Sequence, residues 1–193
     1  MDAATNILNI LSNGQFTELI LNYIPPKPNA RISDEQIRHM HSVAELMYRY
    51  KDAFHVSAAK EECYLLGLLH DIGYINGKEN HESHGYSILE NAFGPNVLSE
   101  CICWHGSTPD EYKRTYNCSD EEIPNMLILL WWADLSVESN GEHAGEIVGF
   151  AKRLDSIKDR LGENSDAYRN SKETVDWLIN YFAKDFISCE KKG

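Results

Sequence analysis

The sequence lacks the features that mark membrane-spanning or secreted chains. Its longest apolar run, Met126 to Ala133, is far shorter than the roughly 20 residues that cross a bilayer. No basic segment followed by an apolar block opens the chain, so we expect no secretory signal. The five cysteines are an odd number and form no CxxC pair, which is typical of reduced thiols. These absences predict a cytoplasmic protein that binds no membrane.

Basic residues are also scarce. The 193 residues include 18 Lys and Arg against 30 Asp and Glu, a formal net charge of -12. Long nucleic acids attract basic surfaces, so this balance argues against them as partners. The same balance does not exclude small phosphorylated ligands as partners, because bound divalent ions add positive charge locally.

What the sequence does contain is a helical pattern. With 42% hydrophobic and 25% charged residues, the composition is that of a globular protein, and the length favours a single domain over 1–193. Ser33 to Gln36 has the spacing of a capping box and opens a helix to about Tyr50. A second helix runs from about Ser57 to Asp71, where Gly73 is placed as a left-handed cap.

The remaining segments continue this pattern. Further helices are predicted over about 81–92, 97–104, 119–137, 142–161 and 166–187. The segments 63–70 and 126–137 are apolar nearly all round and should be the most buried. No segment alternates as a strand would. The predicted fold is all-α, and a Pro-rich linker at 24–28 sets off an N-terminal helical segment, 1–24.

Three ionisable residues stand inside this apolar pattern. His70 and Asp71 end the run LLGLLHDIGY, and Asp134 interrupts LILLWWADLSVE. Burial of such groups is costly unless they are paired or bind a metal. Imidazole and carboxylate ligands suit iron, zinc, manganese and nickel. Four histidines and two aspartates could hold two such ions, which together favour hydrolysis of phosphate esters.

The spacing of these residues resembles a known family. His41, the pair His70-Asp71 and Asp134 match the H…HD…D signature of the HD-domain superfamily of metal-dependent phosphohydrolases. The resemblance implies an all-α HD core over about 34–140, with added helices at about 142–187. It also implies that these four residues bind the first metal. His39, two residues from His41, is predicted to point elsewhere, with a structural or surface role.

Two further segments resemble a dinuclear subgroup. NHESHGYSIL and CWHGS place His81 and His105 as ligands of a second metal, with Asp71 bridging. Similar sites occur in the HD-type hydrolases of symmetrical diadenosine tetraphosphate, which use two irons. His84 follows His81 by one helical turn, so it stays open as the alternative ligand or as a substrate-binding residue.

Cations near these ligands are the predicted substrate-binding residues. Arg38 precedes His41 by three positions and could bind a phosphate with both guanidinium nitrogens. Lys78 lies in the short loop between the HD pair and His81. The predicted catalytic residues are Asp71, His70 and Lys78.

The resemblance implies a hydrolase that cleaves a phosphate ester or anhydride of a nucleotide or another small phosphorylated metabolite. Iron is the favoured metal, and manganese, zinc, nickel and magnesium are alternatives. The short gap before His81, and the absence of a Gly-Arg-Pro stretch after His105, separate the chain from the diadenosine tetraphosphate hydrolases. A mixed-valent di-iron oxygenase with the same ligands, a non-catalytic binding module and a homodimer all remain open.

Overall fold

The computed structural model describes residues 32–77, 79–138, 141, 145 and 147–190. The predicted N-terminal helical segment, the Pro-rich linker and Lys78 lie outside the described residues. Within them the chain forms eight α-helices, two short 3₁₀ helices and no strand, which confirms the all-α prediction. The α-helices are α1 (Asp34–Tyr50), α2 (Lys60–Leu69), α3 (His81–Phe93), α4 (Val97–Trp104), α5 (Pro109–Tyr116), α6 (Asn125–Ser136), α7 (Ile147–Leu161) and α8 (Asp166–Glu190).

The pair α1 and α2 packs closely because one glycine faces the contact. A Cβ atom on Gly67 would lie 2.6 Å from the Cα atom of Ala44, a separation that real Cβ atoms do not tolerate. The predicted capping box begins α1: the Ser33 hydroxyl accepts from Gln36 N–H, and the Gln36 side chain accepts from Ser33 N–H. The capping box therefore sets where α1 begins, and Gly67 sets how closely α2 packs against it.

The helix α6 lies at the centre and contacts α1, α2, α4, α7 and α8. Its side chains from Met126 to Trp131 are all buried, as the apolar pattern predicted. The Trp131 indole N–H donates to the carbonyl of Trp104 at 3.1 Å, which ties α6 to the end of α4. None of the helices described is both long enough and apolar enough to cross a membrane.

The structure differs from the predicted secondary structure in two places. The capping box at Ser119 begins only a 3₁₀ turn, Asp120–Glu122, and α6 begins later, at Asn125. Pro124 separates them, since a proline has no N–H to continue the hydrogen-bonded ladder. The helix α5 was not predicted, although Thr108 caps it and Pro109 opens it, which is a standard helix start.

Candidate metal centre

The histidines and aspartates of interest lie mainly at helix ends that meet on one side of α6. His70 directly follows α2, and Asp71 is the residue after it. His81 is the first residue of α3, and His105 directly follows α4. Asp134 comes from the last turn of α6. Such ends leave backbone carbonyl groups free to orient the imidazole rings.

Asp71 lies between two sets of imidazole nitrogens. Its Oδ2 atom is 3.5 Å from Nε2 of His70. Its Oδ1 atom is 3.3 Å from Nε2 of His81 and 3.4 Å from Nε2 of His105. A carboxylate whose two oxygens face different donor sets has the geometry of a bridging ligand.

A second carboxylate completes the His70 side of the cluster. Asp134 Oδ1 lies 2.9 Å from Nε2 of His39 and 3.8 Å from Nε2 of His70. Donor atoms of His39, His70 and Asp71 lie within 4.8 Å of one another, as do those of Asp71, His81 and His105. Asp71 thus belongs to both groups, and together they could hold two ions.

The outer nitrogens of three of these rings are held by backbone carbonyls. Nδ1 of His70 donates to Gly67 O and Nδ1 of His105 donates to Ile102 O, each at 2.7 Å. Nδ1 of His39 donates to Glu138 O at 3.2 Å. A carbonyl only accepts, so each Nδ1 carries hydrogen and each Nε2 faces the cluster. This arrangement is typical of histidines that bind metals.

One atom tests directly whether a metal fits. His70 is fully buried, and its Nε2 atom has no hydrogen-bond partner. An unsatisfied buried polar atom is costly, and a divalent ion would use its lone pair. Imidazole nitrogens and carboxylate oxygens are also the donors that such ions select, so the residues present fit a metal centre.

The prediction that His41 belongs to this cluster is corrected. His41 is half-buried on another side of α1, where its Nδ1 atom lies 3.4 Å from the hydroxyl of Tyr64. His39, expected to be peripheral, is 2% exposed and takes the place in the cluster. The helical period explains the difference: His39 is followed at four and seven residues by buried Val43 and Leu46, whereas His41 aligns with exposed positions.

Two residues that were predicted to bind substrate, His84 and Arg38, lie away from the cluster. The structure brings His81, not His84, to Asp71, and His84 does not line the cavity over the cluster. Arg38 is exposed on α1 and does not line that cavity either.

Gly73 has a role that differs from its prediction. It is not among the residues with positive φ, and α2 has already ended at Leu69. Instead, a Cβ on Gly73 would overlap the carbonyl oxygen of His81 and lie 2.6 Å from Gly85 N. Gly73 therefore allows the 3₁₀ helix Ile72–Asn76 to contact α3, and this contact brings His81 to Asp71.

We expect Gly73→Ala to displace His81. Overpacking against backbone costs about 1–3 kcal/mol, and the metal content should fall because the His81–His105 side loses a ligand. Gly94→Ala is the matched control, since Gly94 ends α3 and has positive φ but open space around it. It should lose about 1–2 kcal/mol of stability and keep its metals. Equal metal content in the two variants would contradict this role; elemental analysis and thermal unfolding measure both quantities.

Arg153 is a site residue that the sequence analysis missed. It is buried on α7, donates to Asp134 Oδ1 at 3.0 Å and lies 3.3 Å from Nε2 of His39. Burial alone would raise the pKa of Asp134, but the Arg153 charge and the hydrogen-bonding contact with His39 hold that pKa well below its ordinary value. The sequence contains a signal for this role, because Arg153 is a charged residue within the apolar stripe formed by Phe150, Leu154 and Ile157.

The histidines beside Asp71 differ in basicity. Burial lowers the pKa of His70 to about 4, against the opposing charges of Asp71 and Asp134. Burial would also lower the pKa of His105, but its hydrogen bond to Asp71 and the charge of Asp71 outweigh this and raise it to about 9. Burial would raise the pKa of Asp71. The charge of His70 and the hydrogen bonds with His105 and His81 instead hold that pKa well below its ordinary value.

These pKa values predict proton release on metal binding. At a pH of about 7.5 the metal-free protein holds a proton on His105, and a metal must displace it, whereas His70 is already neutral. Binding should therefore release about one proton from His105, and the release should fade as the pH rises past about 9. Calorimetry in buffers of different ionisation enthalpy measures this number. Metal binding without any proton release at about pH 7.5 would contradict the assignment of His105 as a ligand.

A cavity of about 240 Å³ lies over the cluster. Asp71, His81, His105 and Asp134 line one side. Tyr74 also lines it, and its ring stacks on His81 with centroids 4.1 Å apart. The opposite wall comes from the C-terminal helices α7 and α8, through Arg153, Ile157, Arg160, Leu161, Asp166, Ala167, Asn170, Ser171 and Thr174.

The fold and the cluster define an all-α protein with a histidine–aspartate candidate metal centre beneath a cavity. The family described as HD domain matches residues 37–156, more than half of the chain. The protein therefore belongs to the HD domain family, whose members are usually hydrolases and bind divalent metals. No curated protein and no solved structure matches the chain.

Proposed function

We propose that the protein is a hydrolase that uses two divalent ions to cleave a phosphate ester or anhydride of a nucleotide or another small phosphorylated metabolite. The observation that carries the proposal is Asp71, whose two carboxylate oxygens face two sets of imidazole nitrogens beneath a cavity. Iron is the favoured metal, with manganese, zinc, nickel and magnesium as alternatives.

The ligands divide into two sets that share Asp71. His39, His70 and Asp134 with one Asp71 oxygen would hold the first ion, and His81 and His105 with the other oxygen would hold the second. When bound, the ions would supply the Lewis acidity and the positive charge that phosphate hydrolysis requires. In this arrangement His70 and Asp71 act as ligands.

The residues around the ligands suit an anionic substrate. Arg153 lines the cavity and pairs with Asp134, so its positive charge holds that carboxylate in place at the metal centre. Burial raises the pKa of the Tyr74 hydroxyl, so the group stays protonated at neutral pH and can donate a hydrogen bond to substrate. Asp134 is kept ionised by Arg153, so its carboxylate can bind a metal ion.

Phosphate release tests this function. Protein purified without oxygen and loaded with iron or manganese is assayed against nucleotides, other phosphomonoesters and dinucleoside polyphosphates. We expect metal-dependent release of phosphate from at least one of these classes. Substrate-dependent oxygen uptake without phosphate release would instead favour the oxygenase alternative, and a folded, metal-loaded protein inactive in both assays would support a binding module.

A further inference from the structure

The basic residues of α7 differ in their partners. Lys152 lies 3.9 Å from Glu138, Arg153 lies 3.0 Å from Asp134, and Lys158 lies 3.1 Å from Glu163. Arg160, in contrast, has no carboxylate partner among the residues described, although it lines the cavity over the metal centre. Arg160 is exposed at the rim of this cavity and also borders a surface cleft that Asp155 and Asp159 line. A guanidinium group without a paired carboxylate at the rim of a cavity is suited to bind an anion.

Arg160 and Arg153 lie on the same face of α7, seven residues or about two turns apart. Ile157, between them, lines the same cavity. Arg153 pairs with Asp134. Arg160 lies two turns further along α7, next to Leu161 and to the start of α8, and these residues also line the cavity.

The rest of this wall has no further basic residue; it contains the apolar Ile157, Leu161 and Ala167, the acidic Asp166 and three uncharged polar residues of α8. Asn170, Ser171 and Thr174 of α8 line the cavity, and the Asn170 amide donates to the carbonyl of Gly106 at 3.3 Å, next to His105. Amide and hydroxyl groups of this kind can hydrogen-bond a hydroxylated molecule. None of these three side chains is aromatic, and the ring of Tyr74, which also lines the cavity, is already stacked on His81.

The size of the cavity limits what it can enclose. Its volume of about 240 Å³ is below the roughly 300 Å³ at which pockets for drug-sized ligands begin. A phosphate ester of a small polyol or a sugar fits that space. A dinucleoside polyphosphate would leave most of its atoms outside it.

We infer that Arg160 is the specificity-determining residue that binds the substrate phosphate, and that the substrate is a compact phosphomonoester whose hydroxylated alcohol part lies against α8. This inference rests on the proposed function and narrows it to one substrate class. Arg153 is a positioning residue in this account, because its guanidinium is already paired with Asp134.

The test compares Arg160→Gln with Lys158→Gln in manganese-loaded protein. The control removes the same charge from the same helix, and Lys158 does not line the cavity. Loss of a charge-assisted contact should weaken the binding of inorganic phosphate, measured by calorimetry, by about 10- to 100-fold in Arg160→Gln. The KM for ribose 5-phosphate should rise by a similar factor with little change in kcat, and metal content should stay that of the wild type. Lys158→Gln should behave as the wild type.

Each part of the inference has its own contrary result. Equal phosphate affinity and KM in the two variants would overturn the role of Arg160 while leaving the hydrolase intact. A kcat/KM more than about tenfold higher for AMP or diadenosine tetraphosphate than for ribose 5-phosphate would overturn the compact substrate class. If the wild type cleaves no phosphate ester, the proposed function fails. The calorimetric comparison then still decides whether Arg160 binds phosphate.

Discussion

Replacing Asp71 with alanine is expected to remove both metal ions and all hydrolytic activity. Asp71 Oδ2 faces Nε2 of His70, and Oδ1 faces those of His81 and His105, so one substitution takes a ligand from each set. Even residues that only support metal ligands cost about 10–100-fold in affinity when changed, and a shared ligand should cost more at both positions. Elemental analysis should find about two ions in the wild type and almost none in the variant.

A matched control separates this effect from a general loss of charge. Asp155→Ala removes a carboxylate from the exposed surface of α7, outside the cavity lining, and should keep both metals and the activity. Circular dichroism checks that Asp71→Ala remains helical. A helical Asp71→Ala protein with the metal content of the wild type would refute the bridging role.

The second large effect concerns two histidines of α1, His39 and His41, that are two residues apart. His39→Ala should lose the ion at the His70 side, because the Nε2 atom of His39 lies against Asp134 and its Nδ1 is held by Glu138. The metal content should fall from about two ions to about one, and activity should fall by more than about 100-fold. His41→Ala should retain both ions, because the described contact of that ring is with Tyr64.

The two variants form a matched pair, since each removes one imidazole from the same turn of α1. Metal analysis and the rate of phosphate release should be measured on both in parallel. Loss of metal in His41→Ala, with His39→Ala unaffected, would restore the assignment that the sequence resemblance implies and refute the one that the structure supports.

These histidines also show how far sequence reasoning reaches. His70, Asp71 and Asp134 could be identified from the cost of placing ionisable groups in apolar helices. The choice between His39 and His41 depends on the face of α1: the resemblance favoured His41, whereas the structure places His39 in the cluster. A strict count along the buried stripe through Val43 and Leu46 would have selected His39.

Other parts of the site depend on contacts between distant segments, which local patterns do not encode. Gly73 was interpreted from its position after an apolar helix, yet its function is to allow the close approach of His81. Arg153 pairs with Asp134 from 19 residues away. The C-terminal helices carry no recognisable motif, and only the folded chain shows that α7 and α8 form the wall of the cavity.

The secondary structure was predictable where capping signals and apolar periodicity agreed. They agree in α1, whose capping box and buried stripe both appear in the structure. They disagree around Ser119, where the capping spacing is present but Pro124 delays α6 until Asn125. In α5 the cap at Thr108 was present without an apolar stripe, since two of its eight residues are buried.

The most direct test of this account is the metal stoichiometry of the wild-type protein. The protein is purified without oxygen, loaded with iron or manganese, freed of excess metal and analysed for metal per chain. The two donor sets that share Asp71 predict about two ions per chain. A folded protein that binds no ion under these conditions would contradict the metal centre and every function proposed from it.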